Sequence, residues 1–220
     1  MELRAALRGA DVQILTPDLP GFGKEPEPVR PWTVADYAEW VEKYLAKEEI
    51  TIPILLLGHS HGGRIALKIA YRGKVKIKHL FLCAAAGIRH KQTLKRSLGL
   101  ALAKPGKILL SLPGLKQLDT LGKKALYKLL RVHDYENASP IMRQTMVNVT
   151  QEDLTPLLAH ITSPTGIFWG TKDTMTPVAD GKLMHERIKK STLHLFRGAK
   201  HRIHRDKAKE IAVIIREQMR

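Results

Sequence analysis

The sequence predicts an α/β protein in which a mostly parallel sheet is flanked by helices. Short apolar runs alternate with helical patterns along most of the chain, which is typical of strand–helix–strand units. The runs are apolar on both faces, as in parallel strands that are covered on both sides. With 44% hydrophobic residues among 220, the chain can bury the core of a single domain.

Five strands are predicted, and each ends in glycine, proline or small residues. They are VQILTP (12–17), PILLLG (53–58), KHLFLCA (78–84), TGIFWG (165–170) and LHLFRG (193–198). Between them, Thr33 is predicted to cap a helix over 34–48, with Asp36 in the position of a capping-box partner. The other predicted helices cover 62–71, 178–190 and 204–218.

The strand–helix alternation stops over residues 88–160. This stretch is helical in pattern, rich in leucine and lysine, and broken by KPGK and LPGL. We therefore predict a core made of residues 1–87 and 161–220, with residues 88–160 inserted as a helical cap, or lid.

The formal charge of +16 is concentrated in two blocks. Residues 88–133 hold eleven lysines or arginines and one acid, and residues 182–220 hold twelve and four acids. No nucleic-acid motif or aromatic platform accompanies this charge, so no specific nucleic-acid partner is expected. The alternation of leucine and lysine over 93–118 suits either contact of the basic cap with an anionic membrane surface or a lid over an acyl pocket. The lid is the favoured interpretation.

The composition also predicts a cytoplasmic protein. The single cysteine, Cys83, excludes an internal disulfide and suits a reducing compartment. The first fifteen residues lack the apolar core of a secretory signal, and no apolar run reaches the roughly 18 residues of a membrane span.

The stretch Gly58-His59-Ser60-His61-Gly62 carries the main chemical signal. It has G-x-S-x-G spacing between a strand pattern and a helical pattern. A tight turn of this kind is expected to need residues without bulk two positions either side of the serine. The following helix directs its first amides to the same point, which favours a developing negative charge. Ser60 is therefore a candidate nucleophile.

Three further motifs extend this signal, and the set resembles the α/β-hydrolase family. PDLPGFGK (17–24) is similar to the D-x-P-G turn after that family's fourth strand. WGTKD (169–173) and GAKH (198–201) resemble the turns that carry its acid and its histidine. The resemblance implies Ser60 as nucleophile, His201 as general base and acid, and Asp173 as orienting carboxylate. A serine hydroxyl needs such a base, and the base needs a third group that holds its tautomer.

Alternatives exist for several of these residues. Asp173 could be an ordinary turn residue, and His204 lies only three positions from His201. The amide of His61 is expected to be one oxyanion donor, and the side chains of His59 and His61 are candidates for substrate binding. No metal-ligand spacing is present, so neither a metal nor another cofactor is expected.

The chain departs from the family pattern at its start. The family begins with three strands and a loop, often His-Gly, whereas here Leu3, Ala6 and Leu7 look like a helix end before strand 12–17. The resemblance therefore implies an N-terminal truncation, and an upstream extension that encodes a strand and His-Gly. Without the family's third strand, residues 12–17 would pair directly with 53–58 or leave a gap with unpaired backbone groups.

The function implied by the resemblance is that of a serine hydrolase. It would cleave a carboxylic ester or related acyl bond of a small molecule through an acyl-enzyme on Ser60. Serine at this position disfavours the family's dehalogenases and epoxide hydrolases, while carbon–carbon bond hydrolases and perhydrolases stay open. The alternative is a catalytically impaired or non-enzymatic binding protein, because the missing His-Gly loop usually supplies the second oxyanion amide.

Overall fold

A computed structural model of the chain describes residues 2–9, 12–90 and 138–219. Within these ranges four strands form one parallel sheet in the order β1-β2-β3-β4. They are β1 (Ile54–His59), β2 (Ile77–Cys83), β3 (Thr165–Gly170) and β4 (Ser191–Phe196). The predicted α/β class, with a mostly parallel sheet flanked by helices, is confirmed.

Seven α-helices and a 3-10 helix accompany the sheet in the described ranges. They are α1 (Glu2–Ala6), α2 (Val34–Lys47), α3 (His61–Arg72), α4 (Pro140–Gln151), the 3-10 helix (Thr155–His160), α5 (Val178–Arg187), α6 (Ile203–Asp206) and α7 (Ala208–Glu217). The single helix predicted over 204–218 is wrong, because Lys207 leaves the helical region at φ −124° and ψ 29° and separates α6 from α7. None of these helices has the length and the apolar character that a bilayer-spanning segment would need.

The core is centred on β3, which has the predicted bounds and is buried along its whole length. The ring of Phe168 lies 5.9 Å from that of Phe81 on β2 and 5.2 Å from that of His194 on β4. Trp169 is fully buried on the next position of the strand. Large rings therefore bind three neighbouring strands into one packed layer, which fixes the carboxyl ends of these strands relative to each other.

Helix α2 begins as predicted. The hydroxyl of Thr33 accepts the amide of Asp36 at 3.3 Å, and the carboxylate of Asp36 accepts the amide of Thr33 at 2.7 Å. This capping box satisfies two amides that the first helical turn leaves without partners. The helix then buries Val34 and Tyr37, and the Tyr37 hydroxyl donates to the carbonyl of Pro20.

The strand predicted over 12–17 is wrong. These residues form no strand, although Ile14 packs against the core. Within the described ranges β1 pairs only with β2, so its other edge carries no ladder. An apolar run predicts burial, but a strand also needs a neighbour that accepts its backbone hydrogen bonds, and residues 12–17 do not pair with β1.

The predicted helical cap is described only at its ends, because residues 91–137 lie outside the described ranges. Helix α4 contacts the segment before α2, where the amide of Trp32 donates to the hydroxyl of Thr145 at 2.9 Å. The side-chain amide of Asn148 also donates to the carbonyl of Trp32. The division into core and cap stays a prediction, and so does the lid over an acyl pocket.

Candidate active site

Ser60 lies in a sharp turn between the last residue of β1 and the first residue of α3. Its φ of 51° and ψ of −114° are unusual for a residue with a side chain, and such conformations cost roughly 1–3 kcal/mol. The turn is held by its backbone: the amide of Ser60 donates to the carbonyl of Cys83 at 3.1 Å. The carbonyl of Ser60 accepts amides from the first turn of α3 and from Ala86. The surrounding structure therefore maintains a strained serine at the carboxyl edge of the sheet.

The glycines around Ser60 do not all have the predicted role. A Cβ on Gly58 would collide with the carbonyl of Gly62, as the crowding argument expects. A Cβ on Gly62 would meet nothing within 4 Å. The crowded position on the helical side is instead Gly63, where a Cβ would collide with the Cβ of Ala85. The prediction that crowding requires the glycine at position 62 is wrong, because the first turn of α3 approaches the residues after β2 with Gly63.

Asp173 and His201 meet at the same edge of the sheet. Asp173 follows β3, His201 follows β4, and His201 Nδ1 lies 2.8 Å from Asp173 Oδ2. The ionised carboxylate only accepts, so Nδ1 carries the proton and Nε2 keeps a free lone pair. That tautomer is the one that a general base needs.

Asp173 is held as an anion in a buried position. Burial alone would raise the pKa of its carboxyl, but hydrogen bonds from His201, from the amides of Thr176 and Met175 and from the Thr176 hydroxyl outweigh burial. The pKa of Asp173 is therefore lower than its ordinary value. These contacts go beyond those of an isolated turn residue, because one of them reaches His201 from another strand.

Thr176 is the residue that sequence reasoning missed. Its hydroxyl lies 2.9 Å from Asp173 Oδ2, 3.2 Å from His201 Nδ1 and 3.2 Å from the carbonyl of Ala84. Its own carbonyl accepts the indole N–H of Trp169 at 2.9 Å. The available signal was its position three residues after Asp173, which is within reach of a side-chain turn.

His204 does not compete for the carboxylate. The partner of Asp173 is His201, and Nδ1 of His204 is buried without a hydrogen-bond partner in the described part of the chain. Its ring lies 3.9 Å from that of His59. Burial and the nearby Arg205 lower the pKa of His204 below its ordinary value.

The Ser60 hydroxyl and the His201 ring are not joined by a hydrogen bond in the structure. The described partners of the ring are Asp173 and the Thr176 hydroxyl, both at Nδ1. Hydrogen bonds between a nucleophile and its base are often long before a substrate binds, so the missing contact does not by itself exclude this pair.

His61 combines a free amide with a ring in an aromatic cluster. Its backbone N–H is in the first turn of α3 and has no acceptor among the described residues. Its ring lies 5.1 Å from that of Tyr37 and 5.9 Å from that of Phe22. Burial, with a smaller contribution from Arg64, lowers the pKa of His61 to about 4. At neutral pH the ring is therefore uncharged.

The side chain of His59 contacts the loop after β4, which carries the candidate base His201. Its Nε2 lies 3.0 Å from the carbonyl oxygen of His201, and its ring lies 4.9 Å from the ring of the same residue. Burial lowers the pKa of His59 to about 4. In the described part of the chain, no group of His, Cys, Asp and Glu side chains is arranged to hold a metal ion.

The chain resembles a known family and proteins of known sequence. A sequence model described as "Alpha/beta hydrolase family" matches residues 1–214. An uncharacterized protein of Mycobacterium tuberculosis is 28% identical over 92% of this chain and 66% of its own length. The chain thus spans 66% of the length of that relative. A pimeloyl-[acyl-carrier protein] methyl ester esterase of Neisseria meningitidis is 27% identical over 91% of this chain and 80% of its own length.

Solved structures agree on the fold. A thermophilic esterase from Thermogutta terrifontis superposes with a TM-score of 0.70 at 20% identity, covering 99% of this chain and 84% of that one. An esterase from Exiguobacterium antarcticum gives a TM-score of 0.67 at 24% identity over 92% of this chain and 80% of that one. With the family match over nearly the whole sequence, these likenesses lead to one conclusion: the chain belongs to the α/β-hydrolase family.

Proposed function

We propose that this chain is a serine hydrolase that cleaves carboxylic esters, or closely related acyl bonds, through an acyl-enzyme on Ser60. The observation that carries the proposal is the 2.8 Å contact between His201 Nδ1 and Asp173 Oδ2. That contact fixes the basic tautomer of a histidine at the sheet edge where Ser60 occupies a strained turn.

The proposed reaction follows from the protonation states of the site. His201 Nε2 takes the proton of the Ser60 hydroxyl while its oxygen attacks the ester carbonyl. The amide of His61 donates to the oxyanion, and the positive end of α3 adds to this stabilisation. His201 then gives its proton to the leaving alcohol, which leaves the acyl group on Ser60. A water molecule, deprotonated by the same Nε2, hydrolyses that acyl-enzyme and regenerates the serine.

The rings near Ser60 suit an apolar acyl group. Phe22 is 46% exposed beside the ring of His61, and the buried ring of Tyr37 packs against the same histidine. An uncharged His61 adds no cation to this surface at neutral pH. The similarity to an esterase that acts on a methyl ester supports ester cleavage over carbon–carbon bond cleavage. No cofactor is needed for this chemistry.

A fluorophosphonate probe and a p-nitrophenyl ester test the proposal together. We expect the wild-type protein to bind the probe covalently and to hydrolyse the ester, and Ser60→Ala to do neither. Ser163→Ala is the matched control, because Ser163 precedes β3 at the opposite end of the sheet. Equal labelling of the wild-type and Ser60→Ala proteins would contradict the proposed nucleophile. A folded wild-type protein that neither reacts nor hydrolyses would favour the binding-protein alternative.

A further inference from the structure

The carbonyl of His201 has an unusual partner. Among the described residues no backbone amide donates to it, and its hydrogen bond comes from the side chain of His59 at 3.0 Å. His59 is the residue immediately before Ser60. One hydrogen bond therefore connects the neighbour of the candidate nucleophile directly to the backbone of the candidate base.

The residues before His201, in the loop that follows β4, are held by other contacts. The carbonyl of Ala199 accepts the amide of Lys172 at 2.9 Å, and the amide of Gly198 donates to the Thr171 hydroxyl at 2.9 Å. Gly170 lets the backbones approach closely, since a Cβ there would collide with the carbonyl of Ala199. These contacts with residues 170–172 thus fix the loop up to Ala199, whereas at His201 itself Asp173 holds the ring and not the backbone.

The packing and the protonation state of the His59 ring suit a hydrogen-bond donor with a fixed position. The ring packs against the rings of His201 and His204, with centroid distances of 4.9 and 3.9 Å. The surrounding burial keeps the ring neutral at pH 7, and a neutral imidazole carries a single N–H. Because the His201 carbonyl only accepts, that proton is on Nε2, which makes the ring a donor with one defined target.

We propose that His59 is a positioning residue that holds the His201 backbone and thereby sets the distance from Nε2 of His201 to the Ser60 hydroxyl. The inference rests on the proposed function, in which these two groups exchange a proton. A displacement of about 1 Å can cost on the order of a hundredfold in rate, so the loss of this one hydrogen bond to the His201 backbone is enough to slow the reaction.

Three substitutions separate this role from simple packing. His59→Leu and His59→Phe remove the donor and introduce an apolar side chain of similar bulk, whereas His59→Gln keeps an N–H donor. We expect the first two to lower the rate of fluorophosphonate labelling by about ten- to a hundredfold. We expect His59→Gln to recover most of that loss. With an ester substrate, kcat should fall while KM changes little.

Hydrogen exchange gives a readout that does not depend on Ser60 chemistry. In the two donor-free variants, the amides of residues 198–207 should exchange faster than in the wild-type protein, and His59→Gln should slow them again. His79→Gln is the control, because His79 is a half-buried histidine near the start of β2, at the far end of the sheet. It should leave both readouts unchanged.

The outcomes distinguish this inference from the proposed function. If the wild-type and His59→Leu proteins label equally fast, the inference is overturned while the nucleophile assignment stands. If the wild-type protein does not label at all, the proposed function fails. The hydrogen-exchange result alone then shows whether His59 holds the His201 backbone. Three other results would also overturn the inference. They are unchanged hydrogen exchange in the donor-free variants, no recovery of labelling or exchange in His59→Gln, and loss of folding in both donor-free variants.

Discussion

At the residue scale, the candidate site depends on which nitrogen of His201 carries a proton. Asp173 accepts from His201 with one oxygen and from two backbone amides with the other, so its orientation is fixed from three directions. The hydroxyl of Thr176 adds a further donor to the oxygen that faces His201. The groups that keep the proton on Nδ1 therefore include residues outside the serine–histidine–aspartate motif.

Replacement of Thr176 tests this support. Thr176→Val keeps the shape of the side chain but removes the hydroxyl that contacts Asp173 Oδ2. We expect the second-order rate of fluorophosphonate labelling to fall about tenfold, with Thr176→Ser close to the wild-type rate. A Thr176→Val protein that is folded and labels as fast as the wild type would show that the hydroxyl has no part in orienting the pair.

The sequence was informative about single residues where a motif names them. The resemblance of WGTKD and GAKH to motifs of the α/β-hydrolase family implied Asp173 and His201, and the structure joins these two side chains. The contacts of His59 and Thr176 could not be predicted in the same way. They depend on distances between separate loops, which appear only after β1, β3 and β4 have been brought to one edge.

At the element scale, the site depends on the close approach of α3 to the residues after β2. Gly63 makes that approach possible, because a Cβ there would collide with Ala85. Gly62, one residue earlier, is free of such contacts. The neighbouring glycines of the motif therefore have different structural roles, which the sequence pattern alone does not distinguish.

A pair of alanine substitutions tests this difference. Gly63→Ala should lower the free energy of unfolding by about 1–3 kcal/mol, since it overpacks a crowded contact with the backbone of Ala85. Gly62→Ala should leave it unchanged or raise it by up to about 1 kcal/mol, because alanine favours the helix. Urea unfolding of the two variants measures both values. An equal loss in both, or a larger loss for Gly62→Ala, would contradict the packing described here.

The elements that the sequence predicted well are those with local signals. The burial of β3 and the capping box of α2 are properties of a few adjacent residues, and both agree with the structure. Residues 12–17 have an equally apolar pattern but form no strand. Whether such a run joins a sheet depends on the edge available to it, which no local pattern records.

At the scale of the whole molecule, acid should destabilise the fold through its buried histidines. Burial lowers the pKa of His59 and of His61 to about 4, from an ordinary value of 6.5. In the unfolded chain both would take up protons near pH 6.5, while in the folded chain they stay neutral down to about pH 4. Their contribution to stability is therefore complete above pH 6.5 and is lost progressively as the pH falls from 6.5 to 4.

Unfolding measurements across this window test the prediction. The free energy of unfolding should be lower at about pH 4.5 than at about pH 7.5, and most of the fall should come below pH 6.5. His61→Gln removes one of the two groups, so its curve should be flatter than that of the wild type. An unfolding free energy that is constant or increases toward pH 4.5 would contradict the assignment of neutral, buried rings.

The most direct test of the central claim is to find where a fluorophosphonate attaches. After the protein is labelled and digested, mass spectrometry of the peptides should place one adduct on Ser60. His201→Ala should lose that adduct almost completely, because the proposed base for the serine proton is then missing. An adduct on a different residue, or undiminished labelling of Ser60 in His201→Ala, would contradict the proton-transfer chain from Ser60 to Asp173.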